Sequence, residues 1–267
     1  MRLFVFDMDN TLIPRGEHDI HSASIDALSK LLLQGDAVCF ASGRPFCSLQ
    51  YHLRQLPSGK KFAIVANGAA LMDQEGNVIS ASLFPMDDFY EIAASYQSDT
   101  VTVYAYDTDS GLVIFREDEW TDLEIFLNGI PKSDFHFADL KKKDAHFSLL
   151  KTMIAARPEI SERIVFPPDY YEKYSISRSD PAFLEILPKG VDKGNRVEAL
   201  RQYLGISRGD VYTFGDGDND ACMLLPYCGV AMGNAMDSAK KAAKYLTKDV
   251  KEEGVSYALK EILHVVD

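Results

Sequence analysis

Apolar residues fall in short runs separated by stretches with helical spacing. Leu3–Phe6, Ala37–Ala41 and Ala63–Ala66 are apolar throughout, the mark of strands buried on both faces. Between the first two, Ile25, Leu28, Leu31 and Leu32 recur at helical spacing and predict a helix over 24–33. Pro45, a favoured first-turn residue, opens a second helix that runs to Leu56. Strand and helix in alternation predict a parallel sheet covered on both faces.

The rhythm changes near Phe84-Pro85. Val101–Tyr106 and Leu112–Arg116 read as antiparallel strands joined by the turn Asp107-Thr108-Asp109-Ser110-Gly111, with a helix over 118–128 after them. Leu149–Ala155, Lys173–Ser179 and Phe183–Leu187 read as further strands, the last two joined through Arg178-Ser179-Asp180-Pro181. Strand pairs mixed with helices predict an α+β module. After Pro188 the α/β rhythm returns: helices over 192–204, 219–225, 236–244 and 255–263, and strands at Asp210–Phe214, Cys228–Ala231 and Tyr245-Leu246. One domain, 1–83 plus 188–267, is therefore expected from both ends of the chain, with 84–187 inserted.

Composition narrows the function. The 267 residues can bury a full core, and 46% hydrophobic with 25% charged residues is ordinary for a soluble globular protein. The net charge of −12 argues against nucleic acid and against an anionic membrane surface. No apolar run reaches the length of a transmembrane helix, and the chain opens at once on a strand with no signal-peptide pattern. Cys39, Cys47, Cys222 and Cys228 form no CxxC pair, which fits reduced thiols and a cytoplasmic location. The six histidines are scattered, without a zinc spacing. Phe166–Tyr174 is dense in aromatics and reads as packing before pocket lining; Lys141–Lys143 reads as a solvated face.

Four polar stretches follow strand signals or open a helix. In Asp7-Met8-Asp9-Asn10-Thr11, residues two apart on an extended segment project the same way, so Asp7 and Asp9 can share a site. Two such carboxylates can divide into nucleophile and general acid/base, though a turn or capping pair explains the tripeptide equally well. Ser42-Gly43-Arg44-Pro45 puts a hydroxyl and an amide at a helix start, an anion seat or a plain turn. In Pro188–Gly194, Asp192 reads as a helix cap that sets Lys193 in the first turn, with Lys189 as the fallback cation. Gly215-Asp216-Gly217-Asp218-Asn219-Asp220 has the composition of a metal loop without the EF-hand pattern. Carboxylates gathered at strand ends call for a cation between them, and Mg²⁺ suits oxygen ligands. Arg44 and Asn67 follow sheet strands and are candidates to touch substrate or phosphate.

The order of these four stretches resembles the haloacid dehalogenase superfamily of phosphohydrolases: DxDxT, a Ser or Thr after the second strand, a Lys, then GDxxND. The inserted module, with Asn67-Gly68-Ala69, Leu184–Gly190 and Val230–Ala235, is similar to the Cof-type branch with its large α+β cap. Asn10 departs from the pattern, since Gly is more usual there. The resemblance spans the chain and implies a Rossmann-like parallel-sheet core with a cap that closes over the site and reads the leaving group. It implies Asp7 as nucleophile and Asp9 as general acid/base. Mg²⁺ would be held by Asp7, the Asp9 backbone carbonyl and Asp216, supported by Asp220. Ser42, Gly43, Lys193 and Asn219 would hold the phosphoryl group.

The expectation is a cytoplasmic, Mg²⁺-dependent phosphatase acting on phosphate monoesters of small metabolites through an aspartyl-phosphate. Sugar phosphates come first, with pyridoxal phosphate or flavin mononucleotide behind them. A monomer is expected, with a homodimer left open. A phosphomutase of the same superfamily and a non-enzymatic phosphate sensor are the alternatives; a P-loop NTPase fails for want of GxxxxGK[ST].

Overall fold

The computed structural model describes residues 1–109, 111–143 and 146–267, Ser179 by its backbone alone. Ser110, inside the expected turn Asp107–Gly111, lies outside the described residues. The chain forms two compact units. The first is Met1–Gly43, Leu49–Ile79 and Asp192–Asp267; the second is Arg44–Ser48 and Ser80–Val191.

The chain opens with β1 (Leu3–Phe6), α1 (Ser22–Leu33), β2 (Ala37–Ala41), α2 (Phe46–Arg54), β3 (Lys60–Val65), β4 (Ala70–Asp73) and β5 (Val78–Ala81). It continues with α3 (Met86–Tyr96), β6 (Val101–Asp107), β7 (Leu112–Ile114), α4 (Glu119–Asn128), β8 (Phe135–Phe137), β9 (Leu149–Ala156), α5 (Pro158–Ser161), α6 (Pro168–Lys173), β10 (Tyr174–Asp180) and β11 (Phe183–Pro188). It ends with α7 (Lys193–Leu204), β12 (Val211–Gly215), α8 (Ala221–Leu224), β13 (Cys228–Ala231), α9 (Asp237–Ala242), β14 (Tyr245–Leu246) and α10 (Gly254–Tyr257), which runs into a π-helical turn at Ala258–Ile262. Among the described residues no helix is long and apolar enough to cross a membrane.

The larger sheet has the order β14-β13-β12-β1-β2-β3-β4-β5. It is parallel from β14 to β3, as the apolar runs predict. Then β4 turns back antiparallel to β3, because Ala66–Ala69 is far too short for a parallel crossover. The sequence pattern gives no strand over 67–83, so this hairpin is a finding of the structure. The central strands are apolar on both faces because both are covered: Leu3, Val5, Cys39 and Ile64 pack with Val197 and Leu200 of α7, while Phe4, Phe6 and Phe40 on the alternate positions are equally buried.

Helix α7 has a clear local cause. The Asp192 carboxylate accepts the Asn195 amide at 2.7 Å at its start, and Gly205, at φ +66°, ends it in the left-handed region.

The second unit carries the sheet order β10-β11-β9-β6-β7-β8. It is antiparallel except for β7 and β8, which α4 joins as a parallel crossover. On one face Val103, Ala105, Ile154 and Ile186 pack against Phe89 and Ile92 of α3, and Phe166, Tyr170 and Tyr174 join the same core. The aromatic run is therefore packing. The helix α3 was missed, although those buried positions recur at helical spacing. Alternate positions on these strands are polar: Tyr104 and Tyr106 donate to the two oxygens of Glu124 at 2.5 and 2.8 Å, and Lys151 pairs with Glu185 at 3.1 Å.

Candidate active site

Parallel register decides which loops meet. Phe6 is level with Phe214 on one side and Phe40 on the other. Asp7, Asp216 and Ser42 therefore leave the sheet side by side at its carboxyl edge, where open α/β sheets bind ligands. The Asp7 amide donates to Phe214 O and the Ser42 amide to Ile64 O, both at 2.9 Å, which fixes the two backbones.

Asp7 is buried and Met8 points wholly into the core, while Asp9, where the chain has left the strand, is exposed. The loop then tightens: Leu12 and Ile13 amides both donate to Met8 O at 2.9 Å. It turns on Asn10, whose φ is +60°. That left-handed conformation explains why glycine is the usual residue here and why asparagine, the L-residue most at ease there, can replace it. Asn234 holds the turn, donating from Nδ2 to Asn10 O at 2.8 Å while its Oδ1 accepts the Val250 amide at 2.9 Å.

Lys193, in the first turn of α7, is almost fully buried. Its ammonium donates to Asp7 Oδ1 at 2.6 Å and to Asp220 Oδ1 at 2.7 Å. Lys189, the fallback cation, belongs to the second unit and donates to Tyr171 O. The other Asp220 oxygen accepts the amides of Asp216 and Gly217 at 3.0 and 2.9 Å, which shapes the acidic turn. A Cβ at Gly215 would lie 2.5 Å from Asp220 Cβ, so only glycine fits. Asp216 Oδ1 accepts the Thr11 hydroxyl at 3.3 Å.

One ammonium serves several carboxylates. Among the described residues, Asp7, Asp216 and Asp220 offer oxygens that all lie within 4.8 Å of one another. Burial, and then the Asp220 charge, hold the Asp7 carboxyl well above the usual range, and Lys193 offsets this only in part. Burial and Asp220 push Asp216 up to about 6. Burial alone would lower the Lys193 pKa, but the two carboxylates outweigh it and hold the lysine charged. A second positive charge is what this cluster lacks, and oxygen-only donors fit a hard divalent cation.

The remaining predicted residues fall in two groups. Ser42 is buried at the end of β2, and the Asn67 side chain would stand 3.1 Å from a Cβ at Gly43. Asn219 Nδ2 donates to Asn67 Oδ1 at 3.2 Å, so Gly43, Asn67 and Asn219 are neighbours. Arg44 groups with the second unit, and its guanidinium donates to Ser48 Oγ at 3.2 Å. Pattern reading gave no role to Asn234 or Arg196. Asn234 stands just after the β13 strand signal, a position that could have drawn notice; a helical arginine such as Arg196 carries no signal of its own.

A buried lysine clasped by carboxylates stands at the carboxyl edge of a parallel sheet, the edge where α/β enzymes place their sites. The chain matches the family model of haloacid dehalogenase-like hydrolases over residues 4–259 and belongs to that family, as a Cof-type phosphatase. It is 30% identical to YxeH of Bacillus subtilis (strain 168), covering 98% of both chains. It is 31% identical to the HMP-PP phosphatase of Cronobacter sakazakii (strain ATCC BAA-894), covering 88% of this chain and 85% of that one. A haloacid dehalogenase-like hydrolase from Bacteroides thetaiotaomicron has the same fold, with a TM-score of 0.83 at 28% identity, covering 98% of this chain and 99% of that one.

Proposed function

We propose that the protein is a Mg²⁺-dependent phosphatase that hydrolyses phosphate monoesters of small metabolites, sugar phosphates foremost, with pyridoxal phosphate and flavin mononucleotide as further candidates, through an aspartyl-phosphate on Asp7. The observation that carries this reading is the Lys193 ammonium between Asp7 and Asp220. Asp7 and Asp216, with the Asp9 backbone carbonyl, would hold the cation. When bound, it supplies the positive charge that lets an anionic nucleophile meet an anionic ester.

The chain's own residues then divide the work. Lys193 offsets charge on the phosphoryl oxygens, and Ser42, the Gly43 amide and Asn219 hold them. An Asp7 oxygen bonds to phosphorus as the ester P–O bond breaks, and Asp9 gives its proton to the departing alkoxide. Asp9 then takes a proton from water, whose oxygen attacks phosphorus, breaks the bond to Asp7 and releases phosphate. Asp220 holds Lys193 and the acidic turn in place. Selection of the leaving group is assigned to the second unit. The named relative acting on HMP-PP supports a small phosphorylated substrate.

The test is phosphate release from a panel of phosphomonoesters, with and without Mg²⁺, for wild type and Asp7→Asn. Metal-dependent release that Asp7→Asn abolishes is the expected result. Conversion of a sugar phosphate to its isomer without free phosphate would replace this reading by a mutase.

A further inference from the structure

The loop from Ala66 to Gly68 is strained and is held from outside. Ala66, Asn67 and Gly68 carry φ values of +48°, +54° and +102° in succession. Two consecutive L-residues in the left-handed region are unfavourable. The neighbours force the shape. The Asn67 amide donates to Ser42 O at 2.9 Å. A Cβ on Gly68 would stand 2.2 Å from the Asp192 carbonyl oxygen, so the loop lies directly against the start of α7.

Arg196, in the first turn of that helix, closes the arrangement. Its Nε donates to Gly68 O at 2.7 Å and its Nη2 to Ala69 O at 3.0 Å. A cation at a helix N-terminus opposes the helix dipole, and burial lowers the Arg196 pKa, so this placement works against two unfavourable terms. The fork geometry of the guanidinium is what meets two adjacent carbonyls. Residues three apart lie on one side of a helix, so a single turn of α7 sends Lys193 to the carboxylates and Arg196 to this loop. The loop in turn presents Asn67, which touches Asn219 and lies against Gly43.

We propose that Arg196 is a positioning residue that acts through Asn67 on the phosphoryl-binding groups Gly43 and Asn219. It holds the loop in its left-handed form, and the Asn67 amide then fixes the direction of the Asn219 amide. The inference rests on the phosphoryl-binding reading of that site, and its test does not need turnover.

The experiment is calorimetric affinity for inorganic phosphate in the presence of Mg²⁺, for wild type, Arg196→Lys, Asn67→Gly and the double variant. Glycine keeps the backbone of position 67 at ease and removes only the amide. Lysine keeps the charge and loses the fork; Arg196→Gln serves if the lysine variant does not fold. Each single change is expected to weaken phosphate binding about tenfold, the worth of one well-made hydrogen bond. The double variant is expected to lose about tenfold in all, because both changes break one chain of contacts. Wild-type affinity in Arg196→Lys, or losses that multiply to about a hundredfold in the double variant, would overturn the proposal. A purely structural Arg196 would lower the melting temperature and leave affinity intact, which also overturns it. Ester hydrolysis measured alongside separates the two ideas. Phosphate binding with coupled losses but no turnover sinks the phosphatase reading alone; turnover without coupling sinks this one alone.

Discussion

Lys193 Nζ lies 2.6 Å from Asp7 Oδ1, although 186 positions separate the two residues. The contact holds a buried carboxylate whose ionised form is disfavoured by burial and by Asp220. Asp7→Asn keeps an oxygen for the lysine and removes that charge. It should cut phosphate release at least about a thousandfold while raising the melting temperature in EDTA. Lys193→Met does the reverse to the cluster, leaving buried carboxylates without their cation at a cost of about 3–5 kcal/mol. Thermal melts of the two variants in EDTA should move in opposite directions; the same direction for both would refute this account of the cluster.

Acidity should tune metal binding in a stated sense. Asp216 is pushed up to about 6 from an ordinary value of 3.8. A carboxyl raised in the folded state contributes stability that is full below its unfolded pKa and is lost as pH rises through the folded one. The metal-free protein should therefore lose this contribution between about pH 4 and pH 6. A divalent cation needs the ionised carboxylate, so the melting-point rise caused by Mg²⁺ should grow over the same window. A Mg²⁺ effect independent of pH from 5 to 7 would count against the acidic cluster as the site.

Asn10 at φ +60° gives a local test. Asn10→Gly should retain activity, with stability within a few tenths of a kcal/mol, as glycine accepts this conformation. Asn10→Val should lose about 1–2 kcal/mol or more, since a β-branched side chain is a poor fit there. Asn234→Ala, which removes the bonds to Asn10 O and the Val250 amide, should cost about 1–3 kcal/mol. Denaturant melts would decide all three.

The second unit holds an ion pair that is nearly all buried, Lys151 with Glu185 at 3.1 Å. Glu185→Leu alone should destabilise the protein by about 3–5 kcal/mol by removing the carboxylate that balances a buried lysine. Lys151→Met combined with Glu185→Leu should recover most of that loss, because an apolar pair needs no desolvation of charge. Equal losses for the single and double variants would show that the pair is not the source.

Periodicity and capping act over a few residues, and what depends on them was legible. The run Leu3–Phe6 and the cap Asp192 before Lys193 were placed as the structure shows them. The same signals failed where cause was distant. The β3–β4 hairpin needed the knowledge that Ala66–Ala69 reverses the chain. For the lysine, by contrast, the Asp192 cap already favours Lys193 over Lys189; in space the first reaches Asp7 and the second Tyr171 O.

Asp7, Asp9, Ser42, Lys193 and Asp216 were found as residue types after strands or at a helix start. Sequence alone thus determined a parallel α/β core with carboxylates and a lysine at its element ends, because each strand and cap is set by its immediate neighbours. Only the tertiary structure decided that β1, β2 and β12 end level, that Asn234 holds Asn10, and that Arg196 holds the Asn67 loop. Register and side-chain reach across hundreds of positions are properties of the packed chain, and no local pattern encodes them.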